Sequence, residues 1–204
     1  MNNGATIAPG YFKTLFADND DPWSFRSRWY EARKRALTLA CLPETRYASG
    51  FEPGCANGEL SAALATRCDK LLVCDGTEQA ANVARQRLAS FPHVSVQCRW
   101  VPEQWPAMSF DLIVLSELGY YLDPEALARL AGKARQSLPA SGTVVACHWR
   151  ARIEGCALDG DEVHAILNER LALPHLCRFT DADMLIDVWC GSARSLAQRE
   201  DLRP

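Results

Sequence analysis

The apolar positions of this chain follow two periods that take turns along it. From residue 24 to 42, Phe25, Trp29, Ala32, Ala36, Leu37 and Ala40 recur at helical spacing, and Pro43 ends the run. After it, short apolar segments alternate with longer amphipathic ones. The pattern predicts strands over 48–51, 70–75, 93–98, 110–116 and 142–149, and helices over 58–67, 77–90, 123–138 and 159–173. The segment FDLIVLS, at 110–116, is almost continuously apolar, as a central strand covered on both faces must be. Asp123-Pro124 supplies an N-cap and a first-turn proline to the helix that follows. The chain closes with two strands, at about 175–180 and 184–190, joined through Asp181-Ala182-Asp183.

Five strands alternating with helices, then a tight strand pair, specify an α/β fold. The expected architecture is a Rossmann-like, seven-stranded, mostly parallel sheet with a C-terminal antiparallel hairpin and an N-terminal helical cap. A dinucleotide-binding sheet has no reason to finish in such a hairpin, so the topology favours a class I methyltransferase over a dehydrogenase. Residues 1–22 read as a flexible N-terminus, 23–43 as the cap helix, and 44–204 as the methyltransferase domain.

Composition narrows the partners. Apolar content of 48% and charged content of 23% are those of a globular protein. A formal net charge of -3 argues against nucleic acid, which calls for a basic surface. No apolar run approaches the ~20 residues that span a bilayer, and the N-terminal MNNGATIAPG has no signal-peptide pattern. The nine cysteines are odd in number and lack a CxxC, which reads as buried reduced thiols in a cytoplasmic protein, with no metal site. A monomer or homodimer is expected.

The chemistry is concentrated in YASGFEPGCANGELSAALA. An apolar strand ends at Glu52, turns on Gly54 and Gly58, and feeds a helix. Such a turn gathers backbone N–H groups at the carboxyl edge of a sheet, where nucleosides bind. An acid just before the turn repels a pyrophosphate and suits a cationic, phosphate-free nucleoside. S-adenosyl-L-methionine, leaving as S-adenosyl-L-homocysteine, is such a ligand. Asp75, closing the second strand, is placed to accept both ribose hydroxyls, and Gly76 follows it. The spacing GCANG lacks the G-x-G-x-x-G of NAD binding, which weakens a nicotinamide-dependent reductase as the competing reading. A catalytically silent binding module is the other.

The motifs DPWSFRSRWYEARKRALTLACLP, FEPGCANGEL, FDLIVLSELGYYL and DADMLIDVW resemble the nodulation protein S family over nearly the whole domain. Members of that family are class I enzymes using S-adenosylmethionine, and the named ones N-methylate a deacetylated chitooligosaccharide. The resemblance implies that Glu52, Gly54, Cys55, Gly58 and Asp75 line the cofactor, and that Tyr30 and Arg33 close over its methionine part. The loop departs from the general class I pattern at Ala56, where a middle glycine is usual, and Asn57 and Glu59 are more polar than such loops are.

After the third strand, Arg99, Trp100 and Val101 fall where class I enzymes contact adenine, with Trp100 placed to stack on the base. Trp105, beside Pro106, reads as structural. SELGYYL puts Ser116 and Glu117 at the sheet edge where the cofactor meets the acceptor. Glu117 is the first candidate for orienting or deprotonating an acceptor amine, Tyr120 and Tyr121 for hydrogen bonding it or packing over the sulfonium with one of the two in the core, and His148, closing the fifth strand, for taking up a proton. His164 is a second histidine option. The basic cluster Arg26, Arg28, Lys34 and Arg35 reads as a solvated helix face with Arg33 the exception, and 150–160 as an insertion shaping the acceptor pocket.

Overall fold

A computed structural model describes residues 4–202. In chain order the elements are α1 (Pro9–Leu15), α2 (Trp29–Cys41), β1 (Gly50–Pro53), α3 (Glu59–Ala65), β2 (Leu71–Asp75), α4 (Glu78–Arg87), β3 (Val94–Cys98), β4 (Leu112–Ser116), a 3-10 turn (Gly119–Tyr121), α5 (Pro124–Gln136), β5 (Thr143–Trp149), α6 (Gly160–Leu171), β6 (His175–Thr180), β7 (Met184–Cys190) and α7 (Leu196–Arg199). They form one seven-stranded sheet in the order β3-β2-β1-β4-β5-β7-β6. β7 alone runs antiparallel to its neighbours β5 and β6.

Both faces of the central strands are covered, so their alternation sorts side chains between two cores. Phe51, Leu72, Ile113, Leu115, Val144 and Trp189 face the layer holding Leu127, Leu130 and Leu167 of α5 and α6. Leu71, Val73, Leu112, Val114, Val145 and Ile186 face the layer holding Leu64 of α3 and Ala84 of α4. Trp105 packs edge-on against Phe51 and donates to Ser137 Oγ at 2.8 Å, the structural role expected of it. Asp123 caps α5 through Ala126 N–H and Asp159 closes a capping box with Glu162 at α6, so both helix starts follow their sequence signals.

The N-terminal region differs from the expectation. Residues 9–15, read as part of a loose segment, form α1, with Pro9 in the first turn. Ile7 N–H donates to Tyr121 O at 2.8 Å and Thr6 Oγ1 donates to Asp123 Oδ2 at 2.6 Å, which straps this segment to the 3-10 turn and α5. The cap helix starts at Trp29 rather than residue 24, because Asp21 takes the N–H groups of Phe25 and Arg26 and Ser24 sits at φ +59°. Among the described residues no helix is long and apolar enough to cross a membrane.

Candidate active site

Above the carboxyl ends of β1, β2 and β4 lies a cavity of about 560 Å³, roofed by α1 and α2. That volume is in the range that small ligands fill. Of the residues expected at the site, Tyr30, Glu52, Gly54, Cys55, Asp75, Gly76, Arg99, Trp100, Val101, Ser116, Glu117 and Tyr120 all line it. Arg33, Gly58 and His148 do not.

At one end the lining is the loop after β1. Gly54, Ala56 and Gly58 all have left-handed backbones, at φ +73°, +48° and +80°. Alanine pays a steric cost there that glycine escapes, so the missing middle glycine leaves the turn intact and strained. Asp75 braces the loop: Oδ2 accepts Ala56 N–H at 3.1 Å and Oδ1 accepts Thr77 N–H at 3.1 Å. Burial raises its carboxyl, opposed by those donors. Glu52 is buried, accepts a 2.5 Å hydrogen bond from Ser61, and pairs with no cation among the described residues. Burial pushes its carboxyl up to about 8, with Ser61 opposing the shift and Asp75 adding to it.

The two polar departures in the loop are fasteners. Asn57, fully buried, donates from Nδ2 to Asp21 Oδ1 at 2.8 Å, tying the loop to the cap segment. Glu59 pairs with Arg87 of α4 at 2.7 Å and lies 3.7 Å from Arg26. Gly58 is the left-handed N-cap of α3, behind the cavity wall rather than in it. Along the wall, Trp100 packs so tightly over Gly76 that a Cβ there would lie 2.2 Å from its ring.

The other end is assembled from distant segments. Glu117, just past β4, holds φ +55°, an unfavourable backbone for a glutamate that places its side chain in the cavity wall. Its Oε2 accepts a short hydrogen bond from the Tyr120 hydroxyl. Its Oε1 lies 3.4 Å from Lys34 Nζ yet makes no hydrogen bond, although buried. Lys34 is itself buried, bonds Glu31 at 2.9 Å, and lies 5.6 and 5.5 Å from the ring centroids of Phe25 and Tyr30. Burial lowers the ammonium, but Glu117 and Glu31 outweigh it and the group is raised, so Lys34 stays charged. Among the described residues the Tyr30 hydroxyl is the other buried side-chain polar atom with no hydrogen-bond partner, and burial raises its phenol. Tyr121 and Trp149 continue the wall, and of the 150–160 insertion only Ile153 reaches it.

The helix face is therefore inverted relative to the sequence reading. Arg33, expected over the cofactor, pairs with Asp181 at 2.7 Å and lies over Phe179, outside the cavity. Lys34, read as solvated, is buried in the wall, and Arg28 and Arg35 line the cavity with it. His148 is also corrected. It is fully buried, and its Nε2 accepts Gly119 N–H at 3.0 Å, so the lone pair assigned to a proton from the acceptor is already in use. Burial, then the neighbouring His164 and Lys34, hold its imidazole well below the ordinary histidine range.

These residues fit S-adenosylmethionine. The braced carboxylate of Asp75 retains acceptor capacity for hydroxyls, Trp100 offers an aromatic face, and the Tyr30 hydroxyl and Glu117 Oε1 have hydrogen-bonding capacity that no protein group uses.

The family model for nodulation protein S (NodS) matches residues 13–180. Nodulation protein S of Rhizobium tropici is 33% identical over 74% of this chain, and that of Sinorhizobium fredii is 31% identical over 74%. The alignments span 66% and 73% of those two relatives. Among solved structures, a methyltransferase of Pseudomonas syringae, described as putative in its own right, is 54% identical over 80% of this chain and 99% of its own, with a TM-score of 0.73. N-methyltransferase NodS from Bradyrhizobium japonicum WM9, in complex with S-adenosyl-l-homocysteine, is 27% identical over 89% of this chain and 96% of its own, with a TM-score of 0.81. With the strand order, the acid-flanked glycine loop and these matches in agreement, the chain belongs to the nodulation protein S family and has the class I methyltransferase fold.

Proposed function

We propose that this S-adenosylmethionine-dependent methyltransferase delivers the methyl group to the nitrogen of a small-molecule amine, with an amino sugar or amino-bearing oligosaccharide as the acceptor class. The observation that carries the reading is the buried Oε1 of Glu117 at the cavity wall, which makes no hydrogen bond and has only the Lys34 ammonium, 3.4 Å away, beside it. The similar protein from Bradyrhizobium japonicum, an N-methyltransferase by name, supports the choice of nitrogen. Neither a nicotinamide reductase nor a silent binding module is favoured by any feature of the cavity.

An amine reaches the protein mostly protonated, and its nitrogen has no lone pair until that proton leaves. Glu117 is built to receive it. Tyr120 occupies and fixes Oε2, which leaves Oε1 to accept an N–H of the acceptor and then the released proton. The Lys34 ammonium sits between Glu117 and Glu31 and offsets their negative charge in the wall. Asp75 orients the ribose hydroxyls, and Trp100 and Val101 flank the base. Arg28 and Arg35, not Arg33, supply positive charge toward the methionine carboxylate. The cofactor, when bound, supplies an electrophilic methyl on its sulfonium sulfur. Alignment of the nitrogen by this wall provides much of the acceleration. Nine free thiols fit a reducing, cytoplasmic setting.

The test is to incubate the protein with S-adenosylmethionine and matched pairs of amino sugars and their N-acetylated forms. N-methyl product from the free amines alone, located by nuclear magnetic resonance, is the expected result. Methyl on a hydroxyl oxygen, or equal use of the acetylated partner, sinks the assignment of nitrogen.

A further inference from the structure

Behind the cavity wall runs a buried polar chain that the transfer step leaves unused. Gly119 N–H donates to His148 Nε2 at 3.0 Å. His148 Nδ1 lies 3.0 Å from His164 Nε2, and His164 Nδ1 lies 2.7 Å from Asp187 Oδ2. Asp187, in the middle of β7 and fully buried, is held by two 2.8 Å bonds from Arg178 of β6 and by His175. The chain thus links the terminal hairpin to the first residue of the 3-10 turn.

Its protons have one consistent arrangement. A backbone N–H can only donate, so His148 Nε2 must be bare and its hydrogen must sit on Nδ1. Nδ1–H then donates to His164 Nε2, which places the hydrogen of His164 on Nδ1, pointing at Asp187. Burial pushes Asp187 up, but the bonds from His164, Arg178 and His175 win and hold it well below the usual carboxylate range, as an acceptor needs. Arg178 is half-exposed and balances that charge at the surface end.

The turn itself is fitted to this contact. A Cβ on Gly119 would meet Val163 Cγ1 at 2.4 Å and His148 Nε2 at 3.1 Å, so the backbone is clamped between β5 and α6. The Tyr120 ring stands edge-on to His148, with centroids 5.3 Å apart, and its hydroxyl reaches Glu117. Movement of Gly119 would therefore carry Tyr120 off Glu117.

We propose that His148, oriented by His164 and Asp187, is a positioning residue that sets the Gly119–Tyr121 turn and through it the hydrogen bond of Tyr120 to Glu117. This rests on the reading of Glu117 as the group that meets the acceptor. The relay holds a tautomer and moves no proton during turnover.

Two measurements test it. Imidazole nitrogen correlation spectra of the uniformly labelled protein, with no substrate present, are expected to show His148 and His164 both as Nδ1–H tautomers. Loss of the His148 pattern in His164→Leu is also expected. A His148 carrying its hydrogen on Nε2 overturns the relay whatever the enzyme methylates. In turnover, His148→Leu is expected to lower kcat about tenfold to a hundredfold, with the Kd for S-adenosylhomocysteine unchanged. His148→Gln, whose amide oxygen can still accept from Gly119, is expected to recover most of that loss. Unchanged kcat in folded His148→Leu, or no difference between the leucine and glutamine variants, overturns it. Should the leucine variant not fold, the spectra and the glutamine variant decide. Absence of amine methylation by the parent protein, with the tautomers as expected, would instead count against the assigned reaction.

Discussion

The loop from Glu52 to Gly58, with Asp75, builds its half of the cavity from two short stretches of chain and mostly from backbone. The opposite half is made of side chains that meet across the fold: Tyr30, Glu31 and Lys34 of α2 against Glu117 and Tyr120 beyond β4. The first is set by local sequence and recognises what methyltransferases share. The second depends on how a helix is rotated against a sheet, and it is where acceptor choice can vary while the fold stays constant.

Neighbouring residues on α2 give the sharpest way to break this comparison. Lys34→Met leaves the buried Glu31 and the partly buried Glu117 without their shared ammonium, and is expected to destabilise the protein by about 3 kcal/mol, lowering Tm by roughly 10 °C. Arg33→Met removes a partly exposed pair with Asp181 and should cost less than about 1 kcal/mol. Equal melting points for the two variants would refute the inverted helix face.

Next come the two carboxylates. Glu117→Gln keeps an acceptor for Tyr120 but cannot take a proton, so kcat is expected to fall about a hundredfold with cofactor affinity preserved. Asp75→Asn is expected to weaken S-adenosylhomocysteine about tenfold and spare kcat at saturation. If titration calorimetry and steady-state rates showed both variants losing affinity and turnover alike, the two halves would not be separable.

The smallest effect lies in the loop. Ala56→Gly relieves a left-handed alanine and is expected to raise stability by about 0.5–1 kcal/mol, read as a small rise in the midpoint of urea unfolding. No rise would mean that the φ of +48° is strain-free in this setting.

The sequence disclosed the parts of the molecule whose causes are local. Continuous apolar runs gave β4 and β5, Asp123-Pro124 gave the start of α5, and the tight link at Asp181–Asp183 gave the β6–β7 hairpin. Glu52, Gly54 and Asp75 were legible for the same reason. Arg33 and Lys34 were not, because adjacent helix positions point about 100° apart and their partners lie far along the chain, at Asp181 and Glu117. His148 read as a free base because its occupants, Gly119 N–H and His164, are tertiary neighbours. α1 buries no residue, so the apolar pattern carried little trace of it, although Pro9 in its first turn was a usable signal.

One feature of the floor reaches beyond architecture. With its carboxyl at about 8, Glu52 still carries a proton in the free protein at neutral pH. A ligand bringing positive charge to the loop favours the ionised form, so its binding is expected to release that proton. Affinity for S-adenosylmethionine should then climb with pH, by up to about tenfold per unit, and level off above about 8. S-adenosylhomocysteine, lacking the sulfonium charge, should show the shallower climb. Titrations at neutral pH in buffers of different ionisation enthalpy would count the released proton, and heats independent of buffer would dismiss it. The cavity would thereby discriminate spent cofactor from fresh by an exchange of hydrogen ions with the surrounding water.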